Sequence, residues 1–216
     1  MKLTVFGATG GVGREVVRQA LAAGHEVTAV VRDRARLDVP DRLGLHVATV
    51  ADLRDEEALV PLLRGRDAVV SALGAAGNQQ ARLTPVTGPA LRAVVPAMGR
   101  AGVDRLTAVS AAPVGPDAPT DGFFTRGVFL PLLRRALRDV YADLADMEAV
   151  LAASPVDWTV VRPPKLTNGR RTGVYRRAVG EPLPRARTIP RADVADALLA
   201  FLTDASVSRR AVVVAS

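Results

Sequence analysis

Three glycines spaced G-x-x-G-x-x-G stand near the head of the chain, in KLTVFGATGGVG (2–13). Gly7, Gly10 and Gly13 follow a short apolar strand and precede the amphipathic run REVVRQALAAG. A strand that turns through glycines into a helix aims backbone N–H groups and a helix N-terminus at an anion. Gly7 permits the tight turn, Gly10 the close approach of a pyrophosphate, and Gly13 the packing of helix on strand. The residue closing the second strand then reports on the ribose. An acid there holds the two hydroxyls of NAD, whereas an arginine favours the extra phosphate of NADP. Here the strand runs into VVRDRARL, with Arg32 directly after it and Arg34 and Arg36 in the next turn. Asp33 comes one residue late, and the planar guanidinium fork suits a phosphate. The expected cofactor is NADP(H). A solvated surface turn is the other reading of Arg34 and Arg36.

Two further positions belong to the same edge. Asp52, in VADL, could take an adenine amino group or cap the next helix. The small residues of SALG (71–74), Ala72 and Gly74 about Leu73, fit a backbone passing close to the cofactor's middle.

The elements that must carry these residues alternate strand and helix. Strands are expected at 3–7, 26–31, 45–50, 67–73, 105–111, 157–163 and in the closing AVVVA. Helices are expected at 12–23, 55–63, 85–101 (kinked at Pro96), 130–153 and 191–203. The rhythm predicts an α/β fold, a doubly wound parallel sheet of Rossmann type with helices on both faces. VTAVV and DAVVSAL are nearly continuous in apolar residues, as doubly covered strands are. A length of 216 residues fits a single domain, 1–216. Two stretches break the rhythm, near 112–128 and 163–187. They are expected as loops around a substrate pocket, the second too irregular for a core element.

Composition narrows the rest. Cysteine is absent, which excludes thiolate nucleophiles and cysteine metal sites. The net charge of +7 comes with scattered basic residues and only 4% aromatics, so nucleic acid is not an expected partner. No apolar run reaches a membrane span and no leader precedes the first strand, so a cytoplasmic monomer is expected.

GATGGVG, VVRDRARL, VADL, DAVVSALG, AGVDRLTAVSA and VDWTVVRPP occur in the order seen in atypical short-chain dehydrogenase/reductases. More narrowly, the chain resembles their NAD(P)H-binding (NmrA-like) group, which includes biliverdin-IXβ reductase, or flavin reductase. The resemblance implies that Gly7, Thr9, Gly10, Gly11, Val12 and Gly13 line the pyrophosphate. It implies that Arg32 and Arg36 meet the 2′-phosphate, with Asp52, Leu53, Ala72, Leu73 and Gly74 along the cofactor. Ser110 would stand beside the nicotinamide and Pro163–Pro164 would shape its pocket.

The departures concern proton transfer. The Tyr-x-x-x-Lys pair of ordinary members is missing: Tyr141 is followed four residues on by Ala145. Where biliverdin-IXβ-type reductases place a histidine after the Pro-Pro step, this chain has Lys165. Its ammonium can donate a proton, hold an anion or stabilise an enolate. Ser110 and Lys165 are therefore the candidate catalytic residues. Phe123, Phe124 and Tyr175 are candidates to hold a small planar substrate, with Phe129 as a further wall. Arg162 reads as an anchor or a cofactor contact, and His25 and His46 as structural. No metal site is visible. The implied activity is NADPH-dependent hydride transfer to a flavin-like, quinone-like or aromatic acceptor. The alternatives are a non-catalytic NADP(H)-binding redox sensor and an epimerase, dehydratase or cyclase on the same fold.

Overall fold

A computed structural model describes residues 1–117, 127 and 130–216. Its main sheet has eight strands in the order β3-β2-β1-β4-β5-β6-β10-β8. In chain order these are β1 (Lys2–Phe6), β2 (Glu26–Val31), β3 (Leu45–Thr49), β4 (Ala68–Ser71), β5 (Arg105–Val109), β6 (Asp157–Arg162), β8 (Arg176–Val179) and β10 (Arg210–Ala215). All pair in parallel except β8, which runs antiparallel to β10 at the edge. The strand order reverses between β1 and β4, which opens a crevice at their carboxyl ends.

Side-chain alternation sends each strand into two cores. Leu3, Val5, Val27 and Ala29 pack under α1 (Gly11–Ala22) and α7 (Arg191–Ala200). Phe6, Val30, Val69 and Leu106 face the other way, toward α2 (Glu56–Leu63), α4 (Thr87–Ala101) and α6 (Arg138–Ala153). The result is a Rossmann-type sheet between two helical layers.

Several details differ from the sequence expectation. The helix expected over 130–153 is broken at Leu137 into α5 (Leu130–Ala136) and α6. The break exposes fresh N–H groups, and Asn78 takes them: its Oδ1 accepts from Asp139 N at 2.8 Å and from Val140 N at 3.3 Å. Asn78 itself opens an unexpected helix, α3 (Asn78–Leu83). The α4 helix starts at Thr87 and not at Pro85, and contains Pro96 on its exposed side. The 163–187 stretch is not all loop. It contains β7 (Lys165–Thr167), paired with β9 (Thr188–Pro190), and β8, whose ladder partner is β10.

Candidate functional site

The glycine turn is built by backbone crowding. Gly7 has φ +76°, and a Cβ there would fall on the Ala72 carbonyl, so the loops after β1 and β4 lie in contact across the crevice. A Cβ on Gly13 would fall on the Gly7 carbonyl. The turn is closed by Gly10 N donating to Gly7 O at 3.0 Å. Val12 is buried, Thr9 and Gly11 are half-buried, and Gly10 is exposed on the loop's outer side. No side chain of its N-cap satisfies the first turn of α1, and no acid stands in that turn. Its N–H groups are therefore presented to the crevice. One residue absent from the sequence expectation joins them. Arg191, at the start of α7, lies over Gly11, with Cδ 2.7 Å from where a Cβ would be. Its Nη1 donates to Asn168 Oδ1 at 2.6 Å, and it lines a cavity of about 300 Å³ with Gly11, Arg14 and Asn168.

At the end of β2, Asp33 is occupied with its own turn, accepting from Ala35 N at 2.9 Å. Arg34 donates to Asp41 at 3.2 Å. Arg32 and Arg36 are exposed, and their side chains have no hydrogen-bonding or ionic partner among the described residues. The Asp52 carboxylate is gripped by Arg54, whose Nη2 stands 2.7 Å away; those bonds hold its pKa down at about 2. It does not cap the next helix. Asp55 does, accepting from Ala58 N at 3.2 Å. Leu53 and Leu73 pack into the core, while Gly74 faces open space.

The carboxyl ends of β5 and β6 are stitched together: Ser110 N donates to Val161 O and Ala112 N to Pro163 O, each at 2.8 Å. Ser110 is buried. Its hydroxyl donates to Glu148 Oε1 at 2.5 Å, and the same oxygen accepts from Arg162 Nε at 3.0 Å. Arg162 Nη2 bonds the other carboxylate oxygen. Arg162 is thus an anchor, and its Nη1 lies 2.5 Å from where a Cβ on Gly115 would stand. Arg134 fastens the same segment from the other side, donating to Pro113 O at 3.1 Å and to Asp117 Oδ1 at 2.7 Å. Pro163 is buried and Pro164 half-buried. Lys165 follows them as the first residue of β7, exposed and with no partner for its ammonium among the described residues. Ser110 and Lys165 therefore leave neighbouring strand ends. Tyr141 is half-buried against the α2–α4–α6 core, and burial raises its pKa.

Tyr175 is engaged within the protein itself. Its ring packs on the α1–α7 core and its hydroxyl donates to Asp196 Oδ2 at 3.0 Å; burial, first, and the Asp196 charge push its pKa up. Phe123, Phe124 and Phe129 lie outside the described residues. Glu148 and Arg191 are candidate site residues that the sequence does not single out. A lone glutamate on an amphipathic helix carries the same signal as a solvated one. Arg191 carried no signal at all. His25 meets the terminal amine, with Nδ1 3.2 Å from Met1 N, and His46 is exposed on β3. Among the described residues, no cluster of acids and histidines could hold a metal ion, and no helix is long and apolar enough to cross a membrane.

Comparison with known proteins agrees with this fold. The NAD(P)H-binding family matches residues 7–205. The uncharacterised protein YwnB of Bacillus subtilis is 27% identical over 207 residues, 94% of this chain and 92% of its own. Two solved structures share the fold over the whole of this chain. ChuY, an anaerobilin reductase of Escherichia coli O157:H7, is 24% identical with a TM-score of 0.76 and 97% of its chain covered. A short-chain dehydrogenase/reductase of Veillonella parvula, in complex with NADP, is 18% identical with a TM-score of 0.82 and 94% covered. The chain belongs to the NAD(P)H-binding family.

Proposed function

We propose that this member of the NAD(P)H-binding family is an NADPH-dependent reductase of planar conjugated acceptors. One observation carries the cofactor reading: Asp33 is spent on its own turn while the Arg32 and Arg36 guanidiniums beside it have no partner among the described residues. A carboxylate closed into a turn is poorly placed for ribose hydroxyls, and two free guanidiniums suit a phosphate. The diphosphate would rest on the N–H groups of Gly11, Val12 and Gly13, with Arg191 alongside. When bound, the cofactor supplies hydride.

What the chain adds is position, and little acid. The Ser110 proton is committed to Glu148, and Tyr141 has no lysine four residues on. A conjugated acceptor that takes its proton from solvent suits such a site better than a simple ketone. Lys165 stands at the mouth as the group to hold an acceptor's negative charge. The resemblance of ChuY, described as an anaerobilin reductase, supports the same acceptor class.

Dissociation constants for NADPH and NADH test the cofactor. The wild type should prefer NADPH. Arg32→Ala/Arg36→Ala should lose about 2 kcal/mol for NADPH, a factor of about thirty, and leave NADH unchanged. Equal losses for both cofactors would sink this reading. The same shortage of acid favours a second reading, the NADP(H)-binding redox sensor. The two part on turnover: a sensor binds NADPH and oxidises it with no member of a flavin, quinone and tetrapyrrole panel.

A further inference from the structure

We infer that Glu148 is a positioning residue that sets the hydrogen-bond polarity of Ser110, so that the site takes acceptors presenting a ring N–H to it. The inference rests on the reductase reading above and narrows its acceptor class.

A serine hydroxyl has one proton and two lone pairs. Glu148 reaches it from α6, and Arg162 grips both oxygens of that carboxylate from β6. A carboxylate held in a guanidinium fork offers acceptor sites only. The bond between Ser110 Oγ and Glu148 Oε1, at 2.5 Å, must therefore run from serine to glutamate. All three side chains are largely buried, with those of Glu148 and Arg162 only 14% and 17% exposed, so water does not compete freely. Nothing is left for Ser110 to donate. Its remaining lone pairs can only accept, so a group of the acceptor that meets them must be a donor. A quinone offers carbonyl oxygens and meets lone pair with lone pair. An isoalloxazine or a pyrrolic ring carries an N–H and meets it correctly.

The test compares lumiflavin with its N3-methyl derivative, which lacks the ring N–H. Binding of each is measured by flavin fluorescence on the intact protein saturated with NADP⁺. The wild type should bind lumiflavin about tenfold more tightly. Ser110→Ala should bring the two together. Glu148→Met/Arg162→Met removes both charges at once, a replacement that buried ion pairs often tolerate. It frees the serine proton to donate, so the preference should vanish or invert. A steric rejection of the methyl group would survive in that variant, because Ser110 keeps its size. Equal binding to the wild type, a preference that persists in Ser110→Ala, or failure of both dyes to bind overturns the inference. None of these disturbs the reductase reading, which falls only if NADPH itself is not bound or not oxidised. If the double variant does not fold, Ser110→Ala still decides.

Discussion

The two halves of the sheet treat their polar groups in opposite ways. On the β1–β2 side, α1 begins with no capping side chain and no acid, and the Arg32 and Arg36 guanidiniums stand unpaired among the described residues. On the β5–β6 side the corresponding groups are matched internally. Asn78 takes the first N–H groups of α6. Asp143 does the same for α4, accepting from Val86, Thr87 and Gly88 N at 2.9–3.0 Å. Ser110, Glu148 and Arg162 satisfy one another. Open donors bind something from outside; closed ones hold shape. On the proposed function, the difference assigns recognition of the cofactor to the half with open donors and leaves the other half as a rigid wall whose acidic proton donors are already engaged.

The comparison breaks most severely at Gly13. A methyl there must push into the Gly7 carbonyl, which is backbone and cannot swing aside. Gly13→Ala should weaken NADPH binding at least about a hundredfold, by displacing the turn from α1. Titration of the purified variant checks this, and unchanged affinity would mean the cradle is not where the diphosphate rests.

The closed half predicts the reverse pattern. Asp143 is buried with three backbone donors and has no path to the crevice donors of α1. Asp143→Ala leaves those N–H groups without their acceptor and should cost about 3 kcal/mol of stability. Affinity for NADPH should change less than about threefold once the protein is folded. Urea unfolding beside cofactor titration separates the two effects. A large loss of affinity with little loss of stability would erase the distinction between the halves.

How far the sequence could lead follows the same division. The glycine loop was legible because its work is local: Gly7, Gly10 and Gly13 act within seven residues of one another. The doubly covered strands were legible for a similar reason, since VTAVV and DAVVSAL carry burial in their own composition. The closed half was not legible, because its partners are remote in the chain. The break at Leu137 is compensated by Asn78, roughly sixty residues earlier in sequence order. Glu148 acquires meaning only when Ser110 and Arg162 arrive from two different strands. RRAV does not announce itself as β8; its ladder is supplied by β10, which forms at the end of the chain. The bond between the Tyr175 hydroxyl and Asp196 of α7 is likewise a partner that local pattern does not reveal.

That tyrosine gives the smallest and sharpest test of the closed half. Below the ordinary phenol range, about pH 10, Tyr175 is neutral in the folded and unfolded chain alike. Its folded pKa is raised, by burial first and then by the Asp196 charge. As pH climbs past about 10 the unfolded chain releases the proton while the folded one retains it, so the native state loses stability toward the raised value. Tyr175→Phe removes that group and should flatten the alkaline fall. At neutral pH the variant forfeits only the bond to Asp196, about 1 kcal/mol. Denaturant midpoints from about pH 8 to about pH 11 read both effects. NADPH affinity should stay level throughout, since the hydroxyl is turned to α7 and not to the crevice. A variant that kept the wild-type alkaline slope but bound cofactor less well would move Tyr175 from the closed half of the molecule to the open one.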